Sequence, residues 1–308
     1  DFLGGYNRTG QEYLFTCPKC KHHKRKLSVN LDKNVFKCWI CEFKGNNINR
    51  LVRKYADFNL KAKWRELTGQ VEIQQFDEII ATLFPEEEED TPEVVKLPNE
   101  FLSLANKSKS VLSTKARNYL SKRGITDEDI LFWKIGYCSS GEYAGRIIIP
   151  SFSESGDCNY FIGRTYQNDW RKYMNPPTSK SKIIFNELYI DWQEDLVLTE
   201  GIFDAIVSGK NSVPILGSSL KEQSRLFKSI IRNDTPVYVA LDPDAEEKAA
   251  SLVENLIKYG AEVYKIEVFP YNDVGEMPKK EFQKRKNTAR LMSSEDAFLQ
   301  KFISTFDF

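Results

Sequence analysis

Apolar residues follow different rhythms along this chain, and each rhythm predicts a different kind of element. Leu27, Val29 and Leu31 alternate with polar residues, Asp32, Lys33 and Asn34 offer a turn, and Val35 and Phe36 resume the apolar run. That period of two predicts a β-hairpin. Ile73, Phe76, Ile79, Ile80 and Leu83 recur at helical spacing, and Pro85 would stop that helix. Residues 116–122 read as a helix ended by Gly124, and Thr126 caps a second helix with Asp127, Glu128 and Asp129 in its first turn. A short apolar strand at 146–150 and an alternating strand at 160–166 flank a turn of Ser153, Glu154, Ser155 and Gly156. From Leu196 the pattern changes to strand–helix alternation: strands at 196–198, 213–216, 237–241 and 263–268, with helices at 221–231 and 245–259 and a helix-like segment carrying Asp204. Ala249, Leu252, Val253, Leu256 and Ile257 mark the inward face of the 245–259 helix, which Gly260 stops. Such alternation predicts a parallel sheet with helices on both faces.

The chain is 308 residues long, enough for two or three domains. Its 41% hydrophobic and 13% aromatic content suits a folded soluble protein. No apolar run approaches a membrane span, and no secretory signal opens it, so no membrane partner is expected. The first residue is Asp1 rather than Met, so residues ahead of it are expected. A net charge of zero hides a strong asymmetry. Residues 1–65 carry 15 Lys/Arg against 5 Asp/Glu, and residues 66–100 carry 1 against 11. A basic head suggests a nucleic-acid-contacting module. The acidic run 86–90, followed by Pro92 and Pro98, reads as an extended tether or as a contact surface for that head, with a domain boundary near 100.

Cys17 and Cys20, then Cys38 and Cys41, form two C-x2-C pairs separated by seventeen residues. With no secretory signal, this spacing points to tetrahedral zinc rather than to disulfides. His22 and His23 are expected to be exposed residues of the basic loop, since four cysteines already close the site. That loop, 19–26, holds five Lys/Arg, and Phe15, Phe36, Trp39 and Phe43 lie nearby. Basic residues interleaved with aromatics suit a single strand, although a small ribbon needs about half of those rings for its own core. Cys138 and Cys158 are expected to be unpaired and buried, in keeping with a reducing cytoplasm.

In the strand–helix half, Glu200 follows the 196–198 strand, Asp242 and Asp244 follow the 237–241 strand around Pro243, and Asp273 follows the last. All four fall at strand ends on one sheet edge, where open α/β sheets bind ligands. Clustered carboxylates of this kind suit Mg²⁺ or Mn²⁺, and hence phosphoryl or nucleotidyl transfer.

The segments 119–126, 146–150, Gly163-Arg164 and 172–176 resemble, in that order, the N-terminal part of the polymerase domain of bacterial-type DNA primases. With the cysteine ribbon ahead and the 200–204 segment behind, the layout is similar to the primase of T-even-type bacteriophages, in which a cysteine such as Cys20 stands where bacterial primases often have a His. The acids, with Gly217 in its loop, resemble a Toprim domain. The resemblance implies an α/β multidomain fold: a four-Cys zinc ribbon at 1–58, a helix and acidic linker at 59–100, a mixed α+β basic subdomain at 101–190, a Toprim-type parallel sheet at 191–275 and a helical tail at 276–308. It assigns Glu200, Asp242 and Asp244 to Mg²⁺, with Asp204 and Asp273 in catalytic support. It places Arg146, Arg164, Lys172 and Asn175 along the template and nucleotide channel. It implies primer synthesis on single-stranded DNA from NTPs in the cytoplasm, a host cytoplasm for a phage protein. No G-x-x-x-x-G-K-[ST] loop occurs, so a separate hexameric replicative helicase is the implied partner. The tail is either a helicase contact or a helix packed on the sheet. A Toprim nuclease and a non-catalytic zinc adaptor for single strands are the competing readings. The basic subdomain argues against the first, and the complete acid set against the second.

Overall fold

The computed structural model describes residues 3–41, 43–45, 48–68, 93–216, 220–297 and 299. The chain divides into two compact units, 1–81 and 82–308.

In the first unit, strands β1 (Asn7–Thr9), β2 (Glu12–Phe15), β3 (Leu27–Asn30), β4 (Val35–Cys38) and β5 (Lys44–Gly45) form an antiparallel sheet in chain order. The expected hairpin is β3–β4, with Val29 opposite Phe36 and Leu27 opposite Cys38. Leu31 departs from the expected alternation: the strand ends at Asn30, and Leu31 sits in the turn, exposed. The polar positions Ser28 and Asn30 are buried instead, because Glu12 on β2 accepts from Ser28 Oγ and from Asn30 Nδ2. Those two bonds hold the Glu12 carboxyl below the usual range. Helices α1 (Asn49–Tyr55) and α2 (Phe58–Thr68) complete the unit, with Leu51, Val52, Leu60 and Trp64 packed on the core of Leu27, Val29, Phe36 and Phe43. The ribbon domain therefore runs past the expected boundary at 58, because α2 is needed to cover that core. The expected 73–83 helix and the 86–90 acidic run lie outside the described residues.

The second unit holds two sheets. Strands β6 (Phe101–Ser103), β7 (Gly136–Cys138), β8 (Arg146–Phe152), β9 (Cys158–Thr165) and β10 (Tyr173–Met174) make an antiparallel sheet of order β10-β9-β8-β7-β6. It starts before residue 100: Val95 N–H donates to the Cys158 carbonyl at 2.7 Å, and Val95 and Leu97 pack on Cys138, Ile148 and Phe161. The expected linker thus ends earlier than its sequence suggested. Helix α3 (Val111–Lys122) ends before Gly124, whose φ of 71° suits glycine. Helix α4 (Asp127–Phe132) opens on the expected Thr126 cap, closed into a capping box by Asp129. Gly163 has a packing reason as well: a Cβ there would lie 2.4 Å from the Met174 carbonyl on β10. Gly163→Ala should cost about 1–3 kcal/mol of unfolding free energy, read from urea denaturation of the full chain.

Strands β11 (Leu196–Thr199), β12 (Ser212–Pro214), β13 (Val237–Ala240) and β14 (Val263–Lys265) form the second sheet, all parallel, in the order β12-β11-β13-β14. Helices α5 (Ile202–Ser208), α6 (Arg225–Arg232) and α7 (Glu246–Lys258) alternate with them as the pattern predicted. Helix α8 (Lys279–Thr288), the start of the expected tail, is part of this core. Phe282 is fully buried beside Val207, Val274 and Met277, Gln283 donates to the Ser208 carbonyl, and Lys279 reaches both oxygens of Asp129. Among the described residues, no helix is long and apolar enough to cross a membrane. Cys138 is buried, Cys158 half-buried, and both are free thiols.

Candidate active site and zinc centre

Parallel pairing sets the acidic site. Thr199 on β11 lies in register with Ala240 on β13, so the loops carrying Glu200 and Asp242 leave the sheet at the same level. A short 3-10 turn, Pro243–Ala245, then brings Asp244 alongside. One carboxylate oxygen from each of Glu200, Asp242 and Asp244 lies within 4.8 Å of the others. Two oxygens across one Mg²⁺ are about 4 Å apart, so the spacing suits a hard divalent ion. Glu200 Oε2 and Asp242 Oδ1 are buried without a hydrogen-bond partner, which is costly for carboxylates unless a cation neutralises them. Burial, and then the charges of Asp204, Glu200, Asp273 and Asp244, push Asp242 up to about 7.

Asp204 and Asp273 stand beside this group but are already committed to the backbone. Asp204 Oδ2 accepts Gly201 N–H and its Oδ1 accepts Gly275 N–H, each at 2.8 Å. It ties the loop after β11 to the 3-10 turn Val274–Glu276, which Asp273 caps by accepting Glu276 N–H at 2.8 Å. Both are positioning residues here, and both add negative potential. Burial and the Asp273 charge push Asp204 up to about 6. Because the folded values of Asp204 and Asp242 are raised, their contribution to stability is complete below the unfolded carboxyl value of about 3.9. It is lost as pH rises through about 6 and about 7. Without divalent ions the Tm should therefore fall between about pH 4 and 7, and Mn²⁺ should raise it at about pH 8 far more than at about pH 5. Thermal scans in chelator and in Mn²⁺ check this.

The basic residues divide differently from the expectation. Arg146 is 4% exposed, with Nη2 donating to Asp169 Oδ2 at 2.6 Å and Nη1 to the Arg171 carbonyl at 2.9 Å. It fixes the loop between β9 and β10 and is not open to template or triphosphate. Asn175 Oδ1 accepts Gly163 N–H, which also makes it a structural tie. Arg164 stands opposite Tyr173 in the β9–β10 register, lies 4.6 Å over its ring and donates Nε to Tyr119 Oη. Lys172 is exposed just before β10. Arg123, to which the sequence assigned no role, lies over the rings of Tyr119 and Phe203, at 5.1 Å and 4.6 Å. Phe203 directly precedes Asp204, and the charges of Arg164, Arg123 and Asp204 all act on Tyr173. Arg123 lies within the 119–126 segment of the resemblance, but only the packing of Tyr119 and Arg123 on Phe203 shows where its charge falls. Gly217 lies outside the described residues.

In the first unit, the Sγ atoms of Cys17, Cys20, Cys38 and Cys41 lie within 4.8 Å of one another. Cys17–Cys41 and Cys20–Cys38 are 3.8 Å and 3.9 Å apart. A tetrahedral zinc–thiolate site has sulfur–sulfur edges of about 3.8 Å, far longer than a disulfide. Burial pushes Cys17 up to about 12, whereas Cys38, despite its burial, is held down to about 7 by the backbone N–H groups of Cys41 and Ile40 and by neighbouring thiols. The four cysteines fit structural Zn²⁺, and neither His belongs to the group. Of the nearby rings, Phe36 and Phe43 are buried in the core, Phe15 is half-buried, and Trp39 is exposed with Lys37 Nζ 4.4 Å over it.

Residues 5–81 match the family described as CHC2 zinc finger. Over 85% of its length the chain is 23% identical to a DNA primase of Staphylococcus epidermidis, and over 89% it is 23% identical to one of Thermotoga maritima. It spans about half the length of these relatives, 52% and 55%. Its fold is similar to the zinc-binding and RNA polymerase domains of Aquifex aeolicus primase, with a TM-score of 0.51, 20% identity, and coverage of 94% of this chain and 81% of that one. It is also similar to a DnaG primase catalytic domain bound to single-stranded DNA, with a TM-score of 0.54, 21% identity, and coverage of 65% and 78%. Residues 5–81 thus carry a CHC2 zinc ribbon, and the chain as a whole is similar in sequence and fold to bacterial-type DNA primases.

Proposed function

We propose that this chain synthesises RNA primers on single-stranded DNA by template-directed nucleotidyl transfer. The observation that carries this reading is the convergence of Glu200, Asp242 and Asp244, with buried unpaired oxygens, at the carboxyl edge of the parallel sheet. These residues would hold Mg²⁺ or Mn²⁺, which when bound supplies charge neutralisation at the reacting phosphate. Asp204 and Asp273 keep the loops of the cluster in place. Arg123, Arg164 and Lys172 supply positive charge beside it for the triphosphate and the template backbone. The reaction joins a ribonucleotide 3′-oxygen to the α-phosphorus of the next NTP and breaks its bond to pyrophosphate, the hydroxyl proton leaving to solvent. The zinc ribbon would select the initiation sequence, with exposed Trp39 and the basic loop as its reading surface. A separate hexameric replicative helicase is the proposed partner and the cytoplasm the proposed location, a host cytoplasm if the chain is of the T-even type.

One assay tests the reading: single-stranded template, four NTPs and Mg²⁺, with products resolved on a gel. Short oligoribonucleotides complementary to the template are expected. Shortened DNA would point to a nuclease, and retention of DNA without any product to an adaptor.

A further inference from the structure

Tryptophan is usually buried or nearly so. Yet Trp170 is 86% exposed, the most exposed large hydrophobic side chain among the described residues. It sits at the tip of the loop between β9 and β10, and that loop is firmly built. The buried Arg146 guanidinium grips it on both sides of the tryptophan, at the Asp169 carboxylate and at the Arg171 carbonyl. Asp169 Oδ1 also accepts Arg171 N–H at 2.9 Å, and Thr165 Oγ1 accepts Gln167 N–H at 3.1 Å. A buried cation is thus spent on presenting an exposed indole.

The surroundings of Trp170 indicate what the indole faces. Arg171 lies 5.1 Å over its ring, and exposed Lys172 follows. Next comes Tyr173 with Arg164 over it, then Tyr119 and Phe203 with Arg123 over both, and Phe203 adjoins Asp204 of the acidic site. Of these rings Trp170 and Tyr173 are exposed and Tyr119 is half-buried, each with a cation over it, whereas Phe203 is buried next to the acidic site. Single-stranded nucleic acid demands this combination, charge for phosphate and flat surface for bases, whereas a duplex hides its base faces. A protein partner would have no need of this alternation along the route to the acids.

We propose that Trp170, with Arg171 and Lys172, is a stacking platform for a base of single-stranded DNA, the outermost contact of a track leading the strand to the carboxylate cluster. The proposal rests on the primer-synthesis reading for the identity of the strand as template.

Binding of the full chain to a fluorescently labelled single strand of about 20 nucleotides, a length that exceeds one such site, tests it by anisotropy. Trp170→Ala should weaken binding about tenfold, within the range measured for one base–aromatic stack, and Trp170→Phe should recover most of the loss. The salt dependence should stay unchanged in Trp170→Ala and flatten by about one unit of slope in Arg171→Ala. Binding by Trp170→Ala within about twofold of wild type would overturn the platform, whatever the primer assay shows, since stacking is worth more than that. If the platform result holds while no oligoribonucleotide is made, the primer-synthesis reading fails and the single-strand site stands. Failure of the wild-type chain to bind the strand would overturn both.

Discussion

Asp242→Asn is expected to reduce primer synthesis by at least about a hundredfold while leaving single-strand binding within about twofold and the fold intact. The substitution keeps the shape of the side chain and removes one charge. Asp242 contributes one of the two buried, unpartnered oxygens of the cluster, so its loss should weaken the cation site rather than the sheet. A second consequence separates function from stability. Asp242 is raised to about 7 by burial and by four neighbouring acids, so its charged form is unfavourable in the folded chain without a cation. In chelator at about pH 8 the Asn variant should therefore melt above wild type, and the stabilisation of wild type by Mn²⁺ should be largely lost in it. A variant that loses primer synthesis and template binding together, or melts lower in chelator, would remove the metal assignment.

Cys38→Ser, or removal of zinc by a strong chelator, should unfold the first unit and leave the second folded. The ribbon has little else to hold it. Its strands are two to four residues long, and Cys17 and Cys38 are themselves members of its core. Structural zinc contributes about 10–16 kcal/mol of apparent binding free energy in small fingers, more than such a core supplies. Limited proteolysis of the full chain should then cleave within 1–81 and spare 82–308. Primer initiation on a bare template should fall far more than extension of a preformed primer. Equal loss of both would mean that the ribbon supports the whole chain rather than reading the template.

Both metal-capable groups were legible in the sequence because short-range constraints encode them. Two C-x2-C knuckles need only local turns, and acids at the ends of apolar strands converge once those strands pair in parallel. Asp242 and Asp244 flank a single proline, so their proximity was local too. The basic residues were harder to read, since an arginine's role depends on what packs around it. Arg146 looks like a channel residue in its strand, and Asp169, more than twenty positions later, turns it into a buried clamp. Arg123 stands in the 119–126 segment at a helix end with no role assigned by it, and only α3 lying beside Phe203 brings it near the acids. Leu31 fitted the alternation and still fell outside the strand, because the chain turns after Asn30, whose Oδ1 accepts Lys33 N–H. The early end of the linker rests on the bond from Val95 to Cys158, a pairing that local composition does not specify.

The central claim is that Glu200, Asp242 and Asp244 form a divalent-cation site that serves the reaction. Anomalous diffraction at the manganese edge, from crystals of the full chain grown with Mn²⁺, tests it most directly. The account predicts a peak at about 2.1–2.2 Å from oxygens of these three residues, close to octahedral oxygen-ligand distances, and its absence in Asp242→Asn crystals. Manganese bound elsewhere, with the three carboxylates left without it, would contradict the account.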